Sequence, residues 1–299
     1  MAKKQDSINR IKIFLRRNID SLIKRLSIES IKGRLGGPIV IINSLPKAGT
    51  NLADNVLFNI PSMRRKFGRT LKHPNKNILA RTKLLKSIIN YSDEKNTKKT
   101  ISYLKKMKNG QYSLCHIDFK NEFEEIVNKK NIKVIYVIRD PRDKIISHYK
   151  YVSEIDSTHR EHKFFKTLDS DDEKINTLIN GVDGFTRSID EQLNSYNGWS
   201  KSKNCLTVKF ENLIGENGGG SNELQLQSLN KIIEFLNIDL NESQKNEILK
   251  NLFSKKSPTF RKGTINNWKK IMSKKHKKTL KIRIGQWLID NGYENDFNW

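Results

Sequence analysis

Four short apolar runs punctuate a chain that is otherwise dense in polar residues: "PIVIIN" at 38–43, "YSLCHI" at 112–117, "KVIYVI" at 133–138 and "NCLTVKF" at 204–210. Continuous apolar runs of this length read as strands buried on both faces. Helix-compatible stretches separate them. Further along, 223–253 reads as two helices and 273–291 as another, while "GENGGGSN" at 215–222 has loop composition. Strand–helix alternation implies a parallel sheet with right-handed crossovers. The expected fold is therefore α/β, a three-layer arrangement with a central parallel sheet flanked by helices. In such sheets ligands collect at the carboxyl ends of the strands, so the residues ending these four runs are the first candidates for function. Residues 1–36 form a different pattern. Ile8, Ile11, Leu15, Ile19, Leu22, Ile23 and Leu26 recur at threes and fours in a basic background, which fits an amphipathic helix. That segment either lies on a membrane surface or packs on the domain formed by 37–299.

Composition narrows the class. A length of 299 residues suits one sizeable domain. No apolar run approaches the roughly 18 residues that span a bilayer, and the N-terminus lacks a secretory h-region. A cytoplasmic protein, with peripheral membrane contact through the N-terminal segment as the other option, is expected. Net charge is +25. A field of that sign attracts polyanions, anionic membranes or anionic small molecules without choosing among them, and a codon bias toward Lys, Asn and Ile would produce it too. Cys115 and Cys205 are far apart and fit no metal-ligand spacing; both fall in predicted strands and read as reduced thiols.

Chemistry concentrates where the strands end. "NSLPKAGTNLAD" (43–54) joins the first strand to a helix. A helix opening after a parallel strand presents free backbone N–H groups and the positive end of its dipole, which together make an anion site. Gly49 permits an unusual backbone angle. Thr50 and Asn51 offer side-chain donors, and Lys47 adds a full charge. The common nucleotide loop G-x-x-x-x-G-K-[ST] is not present: Lys precedes Gly, and no hydroxyl follows a lysine to help hold Mg²⁺. The junction is thus P-loop-like but suggests phosphate without metal; an ordinary helix-start turn remains the plain alternative. "KVIYVIRDPRDKIISHY" (133–149) supplies a second junction. Asp140 suits the N-cap, Pro141 the first helical position and Asp143 the third. Arg139 then sits at the sheet edge with Ser147 just beyond, either as an anion clamp or as a surface pair. "PTFRKGTINNW" (258–268) adds Arg261, Lys262 and Gly263 in a predicted loop.

The three segments in this order resemble the sulfotransferases that use 3′-phosphoadenosine-5′-phosphosulfate (PAPS), over roughly 38–299. The resemblance implies a role for each. Lys47, Ala48, Gly49, Thr50 and Asn51 match the 5′-phosphosulfate loop. Arg139 and Ser147 match the holders of the 3′-phosphate, and Arg261, Lys262 and Gly263 the loop closing over it. Phe210 stands at an aromatic position of the cofactor site, in "FEN" where many members have Tyr-Glu-Asp. His116 matches the family's base at the end of the second strand, but Leu114 and Cys115 stand where a Lys-Thr pair is common. Leu52 replaces a Trp that contacts adenine. The implied activity is in-line transfer of a sulfuryl group to a hydroxyl or amine, without a metal, with His116 as base and Lys47 stabilising the leaving group. A basic rim over 61–110 and 153–166 would suit an anionic glycan or a lipid-linked acceptor. Trp199 resembles a position near the acceptor cleft, and equally a core anchor. Two rivals predict other things. A kinase-like phosphotransferase needs a Mg²⁺ ligand that is not apparent. A nucleic-acid binding module needs interleaved aromatics, which the sequence lacks, so no specific nucleic acid is expected.

Overall fold

The computed structural model describes residues 36–66, 88–91, 94–253 and 263–299. The N-terminal segment 1–36 lies outside them, save Gly36. β1 (Val40–Ser44) leads through a tight loop into α1 (Thr50–Phe58). Two short strands, β2 (Arg64–Arg65) and β3 (Ile88–Tyr91), precede α2 (Glu94–Lys105). β4 (Gln111–Ile117), α3 (Asn121–Lys129), β5 (Lys133–Ile138) and α4 (Pro141–Lys150) follow. α4 runs into one π-turn, Tyr151–Ile155. Then come α5 (Arg160–Phe165), α6 (Asp171–Asn180), α7 (Ile189–Tyr196) and β6 (Cys205–Lys209). The chain closes with α8 (Phe210–Leu213), α9 (Asn222–Leu236), α10 (Glu242–Leu252), α11 (Trp268–Ile271) and α12 (Lys274–Asp290).

All pairings among these six strands are parallel, in the order β2–β4–β1–β5–β6, with β3 beside β4. The four apolar runs are β1, β4, β5 and β6. β1 lies between β4 and β5. The winding reverses there, and a crevice opens beyond its carboxyl end. β2 and β3 extend the edge outside β4, one after the other along it.

Residue alternation builds two cores. Val40, Ile42, Leu114, Ile135 and Val137 face α1, α9 and α10. Ile41, Cys115, Val134 and Tyr136 face α3, α4, α7 and α12. Burial on both faces is why these strands read as unbroken apolar runs. Several buried polar groups are paired across elements. Asn43 donates to the Ile117 carbonyl at 2.9 Å and accepts from the Ile117 N–H at 3.0 Å, locking the end of β1 to that of β4. Asp54 on α1 accepts from the Tyr112 hydroxyl and from Arg65, each at 3.0 Å, so a buried carboxylate anchors α1 to β4 and β2. Trp199 is wholly buried, donates to the Ile117 carbonyl at 3.0 Å and meets Phe119 edge-on. It is the core anchor, not a cleft residue. Among the described residues, no helix is long and apolar enough to cross a membrane.

Candidate active site

The loop 45–49 is folded by its own backbone. Ala48 N–H donates to the Leu45 carbonyl at 3.1 Å. Lys47 takes a left-handed φ of 72° and Gly49 one of 109°. Such angles in a non-glycine residue are a strain that surrounding structure must hold, and here the Lys47 carbonyl is held by Arg139 Nη1 at 3.2 Å. Gly49 is the N-cap of α1 and has no side chain to cap it, so no side chain covers the positive end of the α1 dipole, where an anion is favoured. A Cβ at Gly49 would sit 2.5 Å from Phe210 Cδ2; only glycine lets that ring close over the loop. Thr50 Oγ1 and Ser44 Oγ share a 2.6 Å hydrogen bond that fixes the hydroxyl at the helix mouth.

Arg139 ends β5 and faces the same loop. Its Nη2 donates to the Thr264 carbonyl at 3.0 Å, and its guanidinium lies 4.3 Å from the centre of the Phe210 ring. Its Nε is buried without a partner, the kind of idle donor an anion satisfies. Asp140 caps α4 by accepting from Arg142 N–H at 2.9 Å, with Pro141 at the first helical position. Asp143 does more than favour the helix start: it accepts the backbone N–H of Asn266 at 2.6 Å and of Trp268 at 3.0 Å. The segment carrying Gly263 and Thr264 is thereby tied over Arg139. Glu211 joins the ends of β5 and β6, accepting from Asp140 N–H at 2.9 Å and the Tyr293 hydroxyl at 3.1 Å.

His116 ends β4. Its Nδ1 lies 2.6 Å from the Ser44 carbonyl. A carbonyl only accepts, so Nδ1 carries the proton and Nε2 keeps its lone pair. Burial, with the Lys47 and Lys144 charges behind it, pushes the ring's pKa down to about 4, so it is neutral at pH 7. Lys47 Nζ rests 3.7 Å from the centre of the Tyr151 ring, in the π-turn after α4. Tyr151 is itself fixed by donating to Asp156 at 2.9 Å.

Two cavities meet at this point. One, of about 300 Å³, is lined by Lys47, Gly49, Thr50, Asn51, His116, Arg139, Ser147, Phe210 and Gly263, with Ile214, Leu252 and Phe253 forming an apolar end. The other, of about 720 Å³, lies beyond His116 against the segment 180–192. Both are lined by Pro46, His116, His148 and His159. His148 Nε2 is 2.7 Å from Glu161 Oε2. Contact with the two histidines outweighs burial and draws the Glu161 pKa down to about 2.

The sequence-expected residues thus largely converge. Ala48 differs: its methyl packs in the core and its N–H is already donated, because the loop needs that bond to turn. Arg261 and Lys262 lie outside the described residues. Sequence reasoning assigned His148 no role. It overlooked His159, Tyr151 and Thr264, and missed that Asp143 holds the late loop. Only the inclusion of 153–166 in a possible cleft rim pointed toward His159.

Residues 38–292 match the Sulfotransferase domain family. Among curated proteins no sequence matches significantly. Among solved structures, a mouse sulfotransferase complexed with PAP is similar over 89% of this chain and 90% of its own, at 18% identity and TM-score 0.59. A retinol dehydratase, in complex with androsterone and inactive cofactor PAP, is similar over 88% of this chain and 83% of its own, at 14% identity and TM-score 0.54. At these identities the structural likeness speaks for the fold.

Proposed function

The chain belongs to the sulfotransferase family, and from that premise we propose that it moves a sulfuryl group from PAPS to a hydroxyl of a carbohydrate-like acceptor. The observation that carries the donor assignment is the Arg139 junction. A buried guanidinium with an idle Nε, an uncapped helix start and Lys47 all face one cavity. That set fits a nucleotide with phosphates at both ends: Arg139 and Ser147 hold the 3′-phosphate, the α1 amides and Thr50 the 5′-phosphosulfate. Ile214, Leu252 and Phe253 offer the apolar wall that a base needs. Both solved relatives named above were crystallised with PAP, which supports the same reading.

The chemistry follows from the atoms facing the junction. His116 Nε2 takes the proton of the acceptor hydroxyl as its oxygen bonds to sulfur. The bond from sulfur to the bridging oxygen breaks, and adenosine 3′,5′-bisphosphate leaves with the electron pair. Lys47 turns from Tyr151 to that oxygen and stabilises the charge gathering there. In-line transfer of this kind depends on alignment and charge more than on covalent help. Loss of either side chain then lowers turnover about 10²-fold.

The larger cavity supports the acceptor class. It is lined by Arg160, Arg187 and Arg283 against Glu161, Asp183, Asp190 and Glu191. Arg187 is paired with Asp118 at 3.0 Å and Arg283 with Asp190 at 2.9 Å. A polar wall with balanced charge suits a hydroxyl-rich acceptor better than a strongly anionic one, and far better than an apolar ring.

Calorimetric binding of adenosine 3′,5′-bisphosphate against adenosine 5′-phosphate and ATP, without added metal, tests the assignment. The 3′-phosphate is expected to strengthen binding, and Arg139→Ala to abolish that preference. Equal affinity for the three nucleotides would sink it.

A further inference from the structure

We propose that His159 is a second catalytic histidine, presenting its Nε2–H to the oxygens of the group in transfer while His116 takes the acceptor proton. The proposal rests on the sulfuryl-transfer reading above. Three of the four residues lining both cavities are histidines, and the group in transfer must pass between those cavities. The two rings that matter are held in opposite tautomers. His116 Nδ1 donates to a carbonyl, leaving Nε2 as an acceptor. His159 is the N-cap of α5, and its Nδ1 accepts the Glu161 backbone N–H at 3.3 Å. A backbone N–H only donates, so the His159 proton sits on Nε2. Glu161 Oε2, at 3.8 Å from Nδ1, is too far to reverse this with a hydrogen bond.

The rest of the surroundings hold the ring where such a donor is useful. His148 meets His159 edge-on at 5.5 Å between ring centres, and Tyr151 does so at 6.2 Å. The same Tyr151 carries Lys47, so the cation assigned to the leaving oxygen and the donor assigned to the sulfuryl oxygens share one aromatic support. Lys47, His116 and His159 all line the smaller cavity, and the Lys47 charge depresses both imidazoles. The His159 side chain keeps 28% of its surface. Nδ1 is turned to the helix and His159 lines both cavities, so we take the opposite, Nε2 edge as the one offered to them. A neutral N–H there meets a transferring group whose oxygens keep their negative charge, the situation in which a preorganised donor contributes most.

The competing explanation is that His159 only caps α5. Capping substitutions separate the two, because Ser and Asp cap at least as well as His yet offer no N–H at that place. The probe is single-turnover release of sulfate from PAPS with water as acceptor. His159→Ser and His159→Asp are expected to retain affinity for adenosine 3′,5′-bisphosphate and the melting temperature, and to lose about 10²-fold in rate. His159→Gln, which restores an N–H donor, should recover part of that rate. Rates within about threefold of the parent in the Ser and Asp variants would overturn the proposal in favour of the cap. A direct check is ¹⁵N NMR of the imidazoles: protonated Nε2 in His159 and protonated Nδ1 in His116 are expected, and an Nδ1-protonated His159 would refute it. Failure of the parent to prefer the 3′-phosphate would instead remove the donor reading and leave the tautomers untouched.

Discussion

Gly49→Ala puts the loop geometry to a quantitative test. Two costs add. The backbone is at φ 109°, ψ 19°, where an L-residue is strained by about 1–3 kcal/mol. The new methyl would also sit 2.5 Å from Phe210 Cδ2, against roughly 3.5–4 Å for a comfortable carbon contact. Phe210 is buried among Val208, Leu213 and Ile214, so the ring must tilt rather than swing out. Tilting it disturbs the stack on Arg139, worth about 0.5–2 kcal/mol. The sum is about 1.5–5 kcal/mol, divided between the free protein and its complex. The expected outcome is a melting temperature lower by several degrees, at about 2–4 °C per kcal/mol for a domain of this size. Affinity for adenosine 3′,5′-bisphosphate should fall about 10²-fold, or about 2.7 kcal/mol. Scanning calorimetry reads the first and titration calorimetry the second. Because the clash involves one partner, Gly49→Ala with Phe210→Ala should be less unstable than the two single effects added together. Unchanged melting and binding within about threefold would refute the reasoning.

Two further outcomes follow from the site. In the donor-free protein His116 should stay neutral down to about pH 4. Its folded pKa lies below the ordinary 6.5, so its contribution to stability is full above about pH 6.5 and is lost as pH falls through about 4. Imidazole NMR shifts measure this, Lys47→Ala should raise the value, and a midpoint near 6.5 in the parent would contradict the burial argument. Asp143→Ala should strand the N–H groups of Asn266 and Trp268, each worth about 1–3 kcal/mol when left buried and unpaired. Affinity for adenosine 3′,5′-bisphosphate should then drop at least about tenfold more than that for adenosine 5′-phosphate, since the loosened segment is the one bonded to Arg139.

The strands were legible wherever both faces are covered, because burial on both sides writes an unbroken apolar run. β2 and β3 were not. β2 is "RR" and β3 is "IINY", edge strands whose pairing with β4 supplies what their composition does not. At the site, backbone-defined features were readable: a glycine at a helix start, an N-cap Asp before Pro, and a His ending a strand. What could not be read is whatever depends on residues brought together from distant parts of the chain. Asp143 looks like a first-turn acid until the segment 123 residues away is seen to donate to it. His159 looks like any polar loop residue until α4, the π-turn and β4 converge on it. The apolar end of the smaller cavity behaves likewise: Leu52, where the resemblance implies Trp, lines it while only 7% exposed, and Ile214, Leu252 and Phe253 join it from other elements.

Leu114 sharpens the account of charge in this site. It shares a face of β4 with His116 by strand alternation, yet it is wholly buried beneath α1. A lysine there would need an escape route that the packing does not offer. The positive charge around the junction is therefore supplied from other elements: Lys47 from the β1–α1 loop, Arg139 from β5, and Lys144 from α4, whose ammonium is held by Gln192 at 2.6 Å. These are groups fixed by hydrogen bonds or ring contacts at a cavity wall. The net charge of +25 is a different quantity. Exposed lysines act over a Debye length of about 8 Å at physiological salt and are screened beyond it. They can raise the local concentration of an anionic donor, but they do not distinguish a nucleotide phosphorylated at both ends from one phosphorylated once. That distinction has to come from Arg139, whose guanidinium is held by the Lys47 carbonyl on one side and the Thr264 carbonyl on the other. Arg139 and the 45–49 loop are thus one hydrogen-bonded unit: the residue proposed to hold the 3′-phosphate also holds the backbone of the residue proposed to stabilise the leaving group.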